Sequence, residues 1–358
     1  MNDIRRTILW VIFGFSMVLL WDKWQLHNGN KATFFPSPAA VGAAAPAAGA
    51  SAPLAGAASV PASTAPAVAS IGASAVPGTP APAAPAAREK IEVTTDVYRL
   101  TFDGEGGSLT HAELLKHADM TDKAKNFVLF DESTQRVYTA QTGLIGGSFP
   151  THKTVMTAVP GPRTLKDGEN ELTIRFESPE QGGVKLVKTW TLKRGAYDIA
   201  VKHEVVNVGS TAVSPQLYLQ LVRDGNKPPG ESSFYSTFTG PAVYTDAKKY
   251  QKIEFKDIEN GKVDIPKESP NGYVAMVQHY FASAWLLADG VQRELFTRKV
   301  SDNLYSVGMI TPLGNIDPGT TKAVDARLFA GPQVETMMEK LYPGLELVKD
   351  YGWLTILS

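Results

Sequence analysis

The stretch of this chain that comes nearest to a catalytic motif is His203-Glu204-Val205-Val206-Asn207. It reproduces the first half of the HExxH zinc signature, in which two histidines one helical turn apart bind the metal and the glutamate acts as base. Asn207 stands where the second histidine would be. The surrounding alternation is that of a strand, whose period of two does not bring i and i+4 onto one helical face. No metal is expected there. Gly104-Glu105-Gly106-Gly107 lacks the GxGxxG spacing and precedes no helix, so it reads as a turn and not as a phosphate loop. His279 opens the run HYFASAW, residues 279–285. Flanked by aromatics, it reads as a core or groove residue before it reads as a base. Tyr280, Phe281 and Trp285 are most simply core, with a ligand groove lined by these four residues as the alternative. No GxSxG, P-loop or paired-carboxylate motif is present, and no cofactor is implied. The chain has no cysteine, which removes thiol catalysis, thiolate metal sites and redox exchange. Its 35 Lys and Arg against 36 Asp and Glu leave no electrostatic footprint for nucleic acid.

The elements that must carry these residues follow a period of two from about residue 89 to residue 332. Tyr98, Leu100 and Phe102 alternate, and so do Leu172, Ile174 and Phe176. Val184, Leu186, Trp190 and Leu192 lead to Lys193-Arg194-Gly195, after which Tyr197, Ile199, Val201, His203 and Val205 return. This is the clearest hairpin signal in the chain. Leu217, Leu219 and Leu221 continue the pattern, as do Phe281, Ser283, Trp285 and Leu287, and then Val324, Ala326 and Leu328. Many short strands separated by Gly, Pro, Asn and Asp, with no long helical period, predict a mainly β, antiparallel sandwich.

Both ends differ from this body. Arg5 and Arg6 precede a charge-free run, residues 7–21, which opens on Thr7. Its apolar side chains include Ile8, Leu9, Trp10, Val11, Ile12, Phe13, Phe15, Val18, Leu19, Leu20 and Trp21. At about 1.5 Å per residue the run covers roughly 22 Å, short of the roughly 30 Å hydrocarbon core. A cleaved secretory signal and an uncleaved anchor therefore compete. The anchor is favoured, because no small-x-small cleavage site follows and Trp21-Asp22-Lys23-Trp24 forms an interfacial belt. Snorkelling of Arg6 and Lys23 stretches the span to about twenty residues. The arginines on the near side put the N-terminus in the cytoplasm and the remainder across the membrane.

Residues 28–88, almost wholly Ala, Pro, Gly, Ser, Thr and Val from residue 36 onward, read as a disordered linker. At the other end, Phe329-Ala330-Gly331-Pro332 closes the last strand. Val334, Met337, Met338 and Leu341 then recur at helical spacing, predicting an amphipathic helix that starts at Pro332. Either this helix packs on its own domain or it lies on a membrane. Pro343-Gly344 interrupts it. Leu345, Leu347 and Val348 follow, and Tyr351, Trp353, Leu354, Ile356 and Leu357 read as an interfacial segment rising into a bilayer. The chain thus divides into an anchor (residues 1–27), a linker (28–88), a β-sandwich domain (89–332) and an amphipathic helix with the start of a second membrane segment (333–358).

The order of pieces resembles the N-terminal part of the YidC/Oxa/Alb family of membrane protein insertases. The residues carrying the likeness are RRTILWVIF (5–13), WDKW (21–24), TWTLKRGAY (189–197), HYFASAW (279–285), FAGP (329–332) and DYGWL (350–354). What the resemblance implies is an inner-membrane anchor followed by a large periplasmic β-supersandwich similar to the galactose-mutarotase fold. It also implies nascent membrane proteins, the Sec translocon with its accessory complex and the lipid bilayer as partners. Family members continue into five further transmembrane helices around a polar groove with an arginine. No residue here matches that groove, so no catalytic or groove residue is carried over. The 358 residues are expected not to insert membrane proteins unaided, since one apolar helix encloses no polar surface inside the bilayer. A sugar-active or sugar-binding domain of mutarotase type is the rival reading. It would need an acid and a base converging on a pocket, and only His203, Glu204, His279 and scattered carboxylates are available.

Overall fold

The computed structural model describes residues 88–228 and 237–349, together with Ser16, Val18 and Trp21, which are helical. The other anchor residues, from Arg6 to Trp24, lie outside the described residues, as do residues 28–87 of the linker and the interfacial residues Tyr351 to Leu357. Among the described residues no helix is long and apolar enough to cross a membrane.

The described strands form two nine-stranded antiparallel sheets. The first runs in the order β1 (Lys90–Thr94), β2 (Tyr98–Asp103), β3 (Ser108–Ala118), β4 (Asn126–Glu132), β5 (Val137–Ile145), β10 (Gln216–Asp224), β17 (Leu304–Pro312), β16 (Arg293–Ser301) and β13 (Glu268–Ser269). The second runs β12 (Lys249–Lys252), β11 (Gly240–Thr245), β14 (Tyr273–Gln278), β15 (Phe281–Leu287), β18 (Thr321–Pro332), β9 (Asp198–Asn207), β8 (Val184–Lys193), β7 (Glu171–Glu177) and β6 (Thr157–Ala158). The mainly β, antiparallel reading of the sequence holds. So does the hairpin through Lys193-Arg194-Gly195: Leu192 pairs with Ile199 and Val184 with Asn207. Gly195 takes φ 70°, open to glycine without a Cβ penalty.

The inner faces of the two sheets meet in one core. Phe102 packs on Trp190 at 5.0 Å between centroids, and Trp190 lies 6.1 Å from Trp285. Polar atoms also cross this core. Tyr98 Oη donates to the Ala330 carbonyl at 2.5 Å, Tyr138 Oη meets Ser283 Oγ at 2.6 Å, and Trp285 Nε1 donates to the Gln220 carbonyl at 3.1 Å. Each link joins a residue of one sheet to a residue of the other, fixing their relative slide while satisfying groups that burial would otherwise leave unpaired.

The C-terminal helix starts later than expected, and of the two placements open to it the structure shows the one on its own domain. Strand β18 keeps its ladder through Pro332, whose position at the strand end requires no N–H. The helix, after α1 (Phe255–Glu259), is α2 (Glu335–Leu341), and it begins three residues beyond the proline. It packs on its own domain: Met338, Tyr342, Leu345 and Val348 are buried, the last two in a 3-10 turn at Leu345–Val348. Tyr342 Oη accepts the Gly272 N–H at 2.8 Å, and Tyr273 Oη donates to the Gly344 carbonyl at 2.8 Å. Leu345 and Val348, which follow the Pro343-Gly344 break, are therefore core residues. The folded body extends past residue 332 to about residue 349.

Candidate functional site

The four residues of the proposed aromatic groove separate in the structure. His279 and Tyr280 form the two-residue loop between β14 and β15, where Gln278 pairs with Phe281. They line a cavity of about 220 Å³ together with Thr237, Phe238, Gln333 and Lys349. Phe281 and Trp285 point instead into the core. Phe281 stacks on Phe127 at 3.8 Å and meets the His117 ring edge-on, and Trp285 is fully buried. The strand between them is buried on both faces, so its alternation carried no inside–outside information.

His203 is a core histidine. It sits opposite Lys188 in the β8–β9 ladder, and its Nε2 lies 3.0 Å from the Thr142 hydroxyl. Lys188 Nζ donates to the carbonyls of Gly106 and Thr142, both at 2.6 Å. Burial lowers His203 to about 3, with the Lys188 charge adding to the effect, and burial alone lowers Lys188 to about 7. His203 and His279 cannot serve one substrate. His203 is level with Val324 on β18, while the His279 loop lies beyond Pro332. Eight residues of strand separate them, about 26 Å.

A groove that the sequence reading missed lies on the outer face of the first sheet. Leu217, Leu219 and Leu221 of β10 point into the core, which turns Tyr218 and Gln220 outward. Tyr218 is level with Gly143 on β5, and Gln220 with Gly308 on β17. A Cβ on Gly143 would strike the Tyr218 hydroxyl, and one on Gly308 would strike the Phe296 ring. These two glycines let both rings lie down against neighbouring strands. The resulting cavity of about 330 Å³ is lined by Tyr218, Gln220 and Phe296 with His152, Lys153 and Arg298 at its edge. Gln220 Nε2 donates to Gln141 Oε1 at 2.9 Å, and the Arg298 guanidinium rests 4.7 Å over the Phe296 ring.

The titratable groups at the groove are not tuned for acid–base chemistry near neutral pH. Tyr218 Oη accepts the His152 N–H at 2.9 Å and stands 2.5 Å from His152 Nδ1. Burial, Lys188 and Lys153 pull His152 down to about 4, while burial pushes Tyr218 up to about 12. Both stay neutral near pH 7, whereas a general acid or base works best with its pKa near the operating pH. Among the described residues no cluster of three or more His, Asp or Glu could hold a metal. Glycines in mid-strand, at Gly143 and Gly308, were the one sequence signal for this groove.

Fold and site together define a large antiparallel β-sandwich with an aromatic and amide-lined outer groove. Comparison with known proteins narrows the class. The family described as the YidC periplasmic domain matches residues 90–358. A protein of Janthinobacterium sp. (strain Marseille) named membrane protein insertase YidC is 48% identical over 358 residues, covering 99% of this chain and 62% of the relative. Its namesake in Cupriavidus necator is 51% identical over 356 residues, with the same coverage. This chain belongs to the YidC family. It spans about three-fifths of the length of the curated relatives it matches. Among solved structures, a galactose mutarotase related enzyme from Lactobacillus acidophilus is 9% identical at a TM-score of 0.44, covering 68% of this chain and 97% of its own. A putative aldose 1-epimerase from Escherichia coli K12, also 9% identical, reaches 0.42 over 69% of this chain and all of its own. Likeness at that level says nothing about activity.

Proposed function

We propose that this chain is the membrane-anchored, periplasmic part of an insertase that helps newly made proteins enter and fold in the inner membrane. Residues 1–27 anchor it with the N-terminus in the cytoplasm, residues 28–88 tether it, and the sandwich stands on the far side. The observation carrying this reading is the match of residues 90–358 to the periplasmic-domain family, together with end-to-end identity to relatives named as insertases. Its partners are nascent membrane proteins, the Sec translocon with its accessory complex, and the bilayer. The outer groove, with ring faces, amides and no tunable acid–base pair, suits it to hold a segment of such a partner without altering it.

The test is growth under depletion of the host's own insertase. Expressed by itself, the 358-residue chain is expected to leave depleted cells inviable. Joined ahead of the remaining two-fifths of the Janthinobacterium relative, it is expected to restore growth. A chimera that accumulates, folds and fails to rescue contradicts the proposal, as does rescue by the 358 residues unaided.

A further inference from the structure

Among the described residues of the folded body, five large hydrophobic side chains stand well exposed: Val208 at 43%, Tyr280 at 60%, Val300 at 53%, Val334 at 47% and Leu347 at 44%. Scattered singly, such residues need no explanation. Three of them are not scattered. The Tyr280 carbonyl accepts the N–H of Gln333 at 2.8 Å, and Val334 follows directly. Leu347 lies two residues before Lys349, which lines the same cavity as Tyr280 and Gln333 and pairs with Glu335 at 3.3 Å. Tyr280 and Val334 thus sit together at one end of the domain, and Leu347 lies on the turn by which the chain returns to that end at Lys349.

Tyr280 is held there against its own backbone preference. Its φ is 65°, a left-handed conformation that a bulky L-residue adopts only when its surroundings impose it. The two-residue turn between β14 and β15 imposes it, and the Gln333 side-chain amide straps that turn by donating to the carbonyls of Gln278 and Phe281 on either side, both at 3.0 Å. The most exposed of the five side chains therefore sits at the tip of a strapped hairpin, facing outward. From this same end the chain runs on into residues 350–358, which carry Tyr351, Trp353, Leu354, Ile356 and Leu357.

We propose that Tyr280, Val334 and Leu347 rest in the headgroup layer of a lipid bilayer, so that the domain itself touches the membrane beside the segment that follows it. The inference rests on the membrane-anchored reading above and adds a defined contact face. A tyrosine ring with its hydroxyl suits the boundary between hydrocarbon and water. Local charges nearly cancel, with Lys340 and Lys349 against Glu335, Glu339 and Glu346. Contact is therefore apolar and does not depend on anionic lipid.

The absence of cysteine makes the test direct. The full chain is placed in phosphatidylcholine vesicles with the domain outward. Single cysteines are introduced as Tyr280→Cys, Val334→Cys and Leu347→Cys, with Val208→Cys and Val300→Cys as references and Trp353→Cys in the following segment, each bearing an environment-sensitive fluorophore. At 280, 334 and 347 the probe is expected to lose most of its emission to nitroxide-bearing lipid and little to aqueous iodide, with the reverse at 208 and 300. The same iodide-dominated quenching at 280 as at the references overturns the inference. A probe at 280 shielded from both quenchers also overturns it, since protein and not lipid then covers the patch. If 353 responds to lipid and 280 does not, only this inference fails. If neither responds, the membrane reading of the C-terminal segment falls with it.

Discussion

At the scale of single residues, the interior of this sandwich is notable for what it keeps uncharged. His203 and His152 are held neutral, at about 3 and about 4, chiefly because burial penalises the imidazolium. In the unfolded chain both titrate near about 6.5. Below that value the unfolded state binds more protons than the folded one, so stability rises with pH up to about 6.5 and is lost progressively as pH falls to about 4 for His152 and about 3 for His203. Each such proton contributes a slope of up to about 1.4 kcal/mol per pH unit. Unfolding of the full chain in detergent by urea, followed by circular dichroism across that range, is expected to show this acid lability, and His203→Gln to reduce its slope. An unchanged slope would mean that His203 titrates normally in the fold. Lys188 explains a gap in the sequence pattern. Val184, Leu186, Trp190 and Leu192 alternate around it, and position 188 completes the inward row with a charge-bearing side chain that only its two carbonyl acceptors justify.

At the scale of elements, the sequence was most legible where one strand face is core and the other solvent. Strands β7, β8 and β9 alternate for that reason, and Lys193-Arg194-Gly195 supplies the turn between the last two. It was least legible where both faces are covered. Strands β11, β14 and β15 are buried along their whole length, so Phe281 and Trp285 could not be separated from a groove by spacing alone. The outer groove was hidden for a different reason: Gly143 and Gly308 have no side chains to read, and their role appears only when rings from adjacent strands lie over them. Helix α2 was visible from its 3.6 periodicity, but its partner was not, because an amphipathic stripe looks alike whether it meets a sheet or a membrane. The structure chooses the sheet, through Met338 on α2 and Leu345 just beyond it. Replacing either by alanine is expected to destabilise the full chain by about 2–5 kcal/mol, as for any well-packed core side chain. A urea midpoint unmoved by Leu345→Ala would show that this turn is not part of the folded body.

At the scale of the whole molecule, one chain combines an apolar N-terminal run, a long Ala/Pro-rich stretch and a sandwich whose two sheets are joined by buried polar links. Under the proposed function the first lies in the inner membrane and the last in the periplasm. Accessibility of single cysteines in intact cells tests that claim most directly, since the chain has none of its own. A cysteine at Val300→Cys, on the exposed end of β16, is expected to react with a membrane-impermeant maleimide without permeabilisation. One at Asn2→Cys is expected to react only after the inner membrane is opened, and to remain attached to the chain. Protection of position 300 until lysis, or loss of position 2 from the mature protein, would contradict the account.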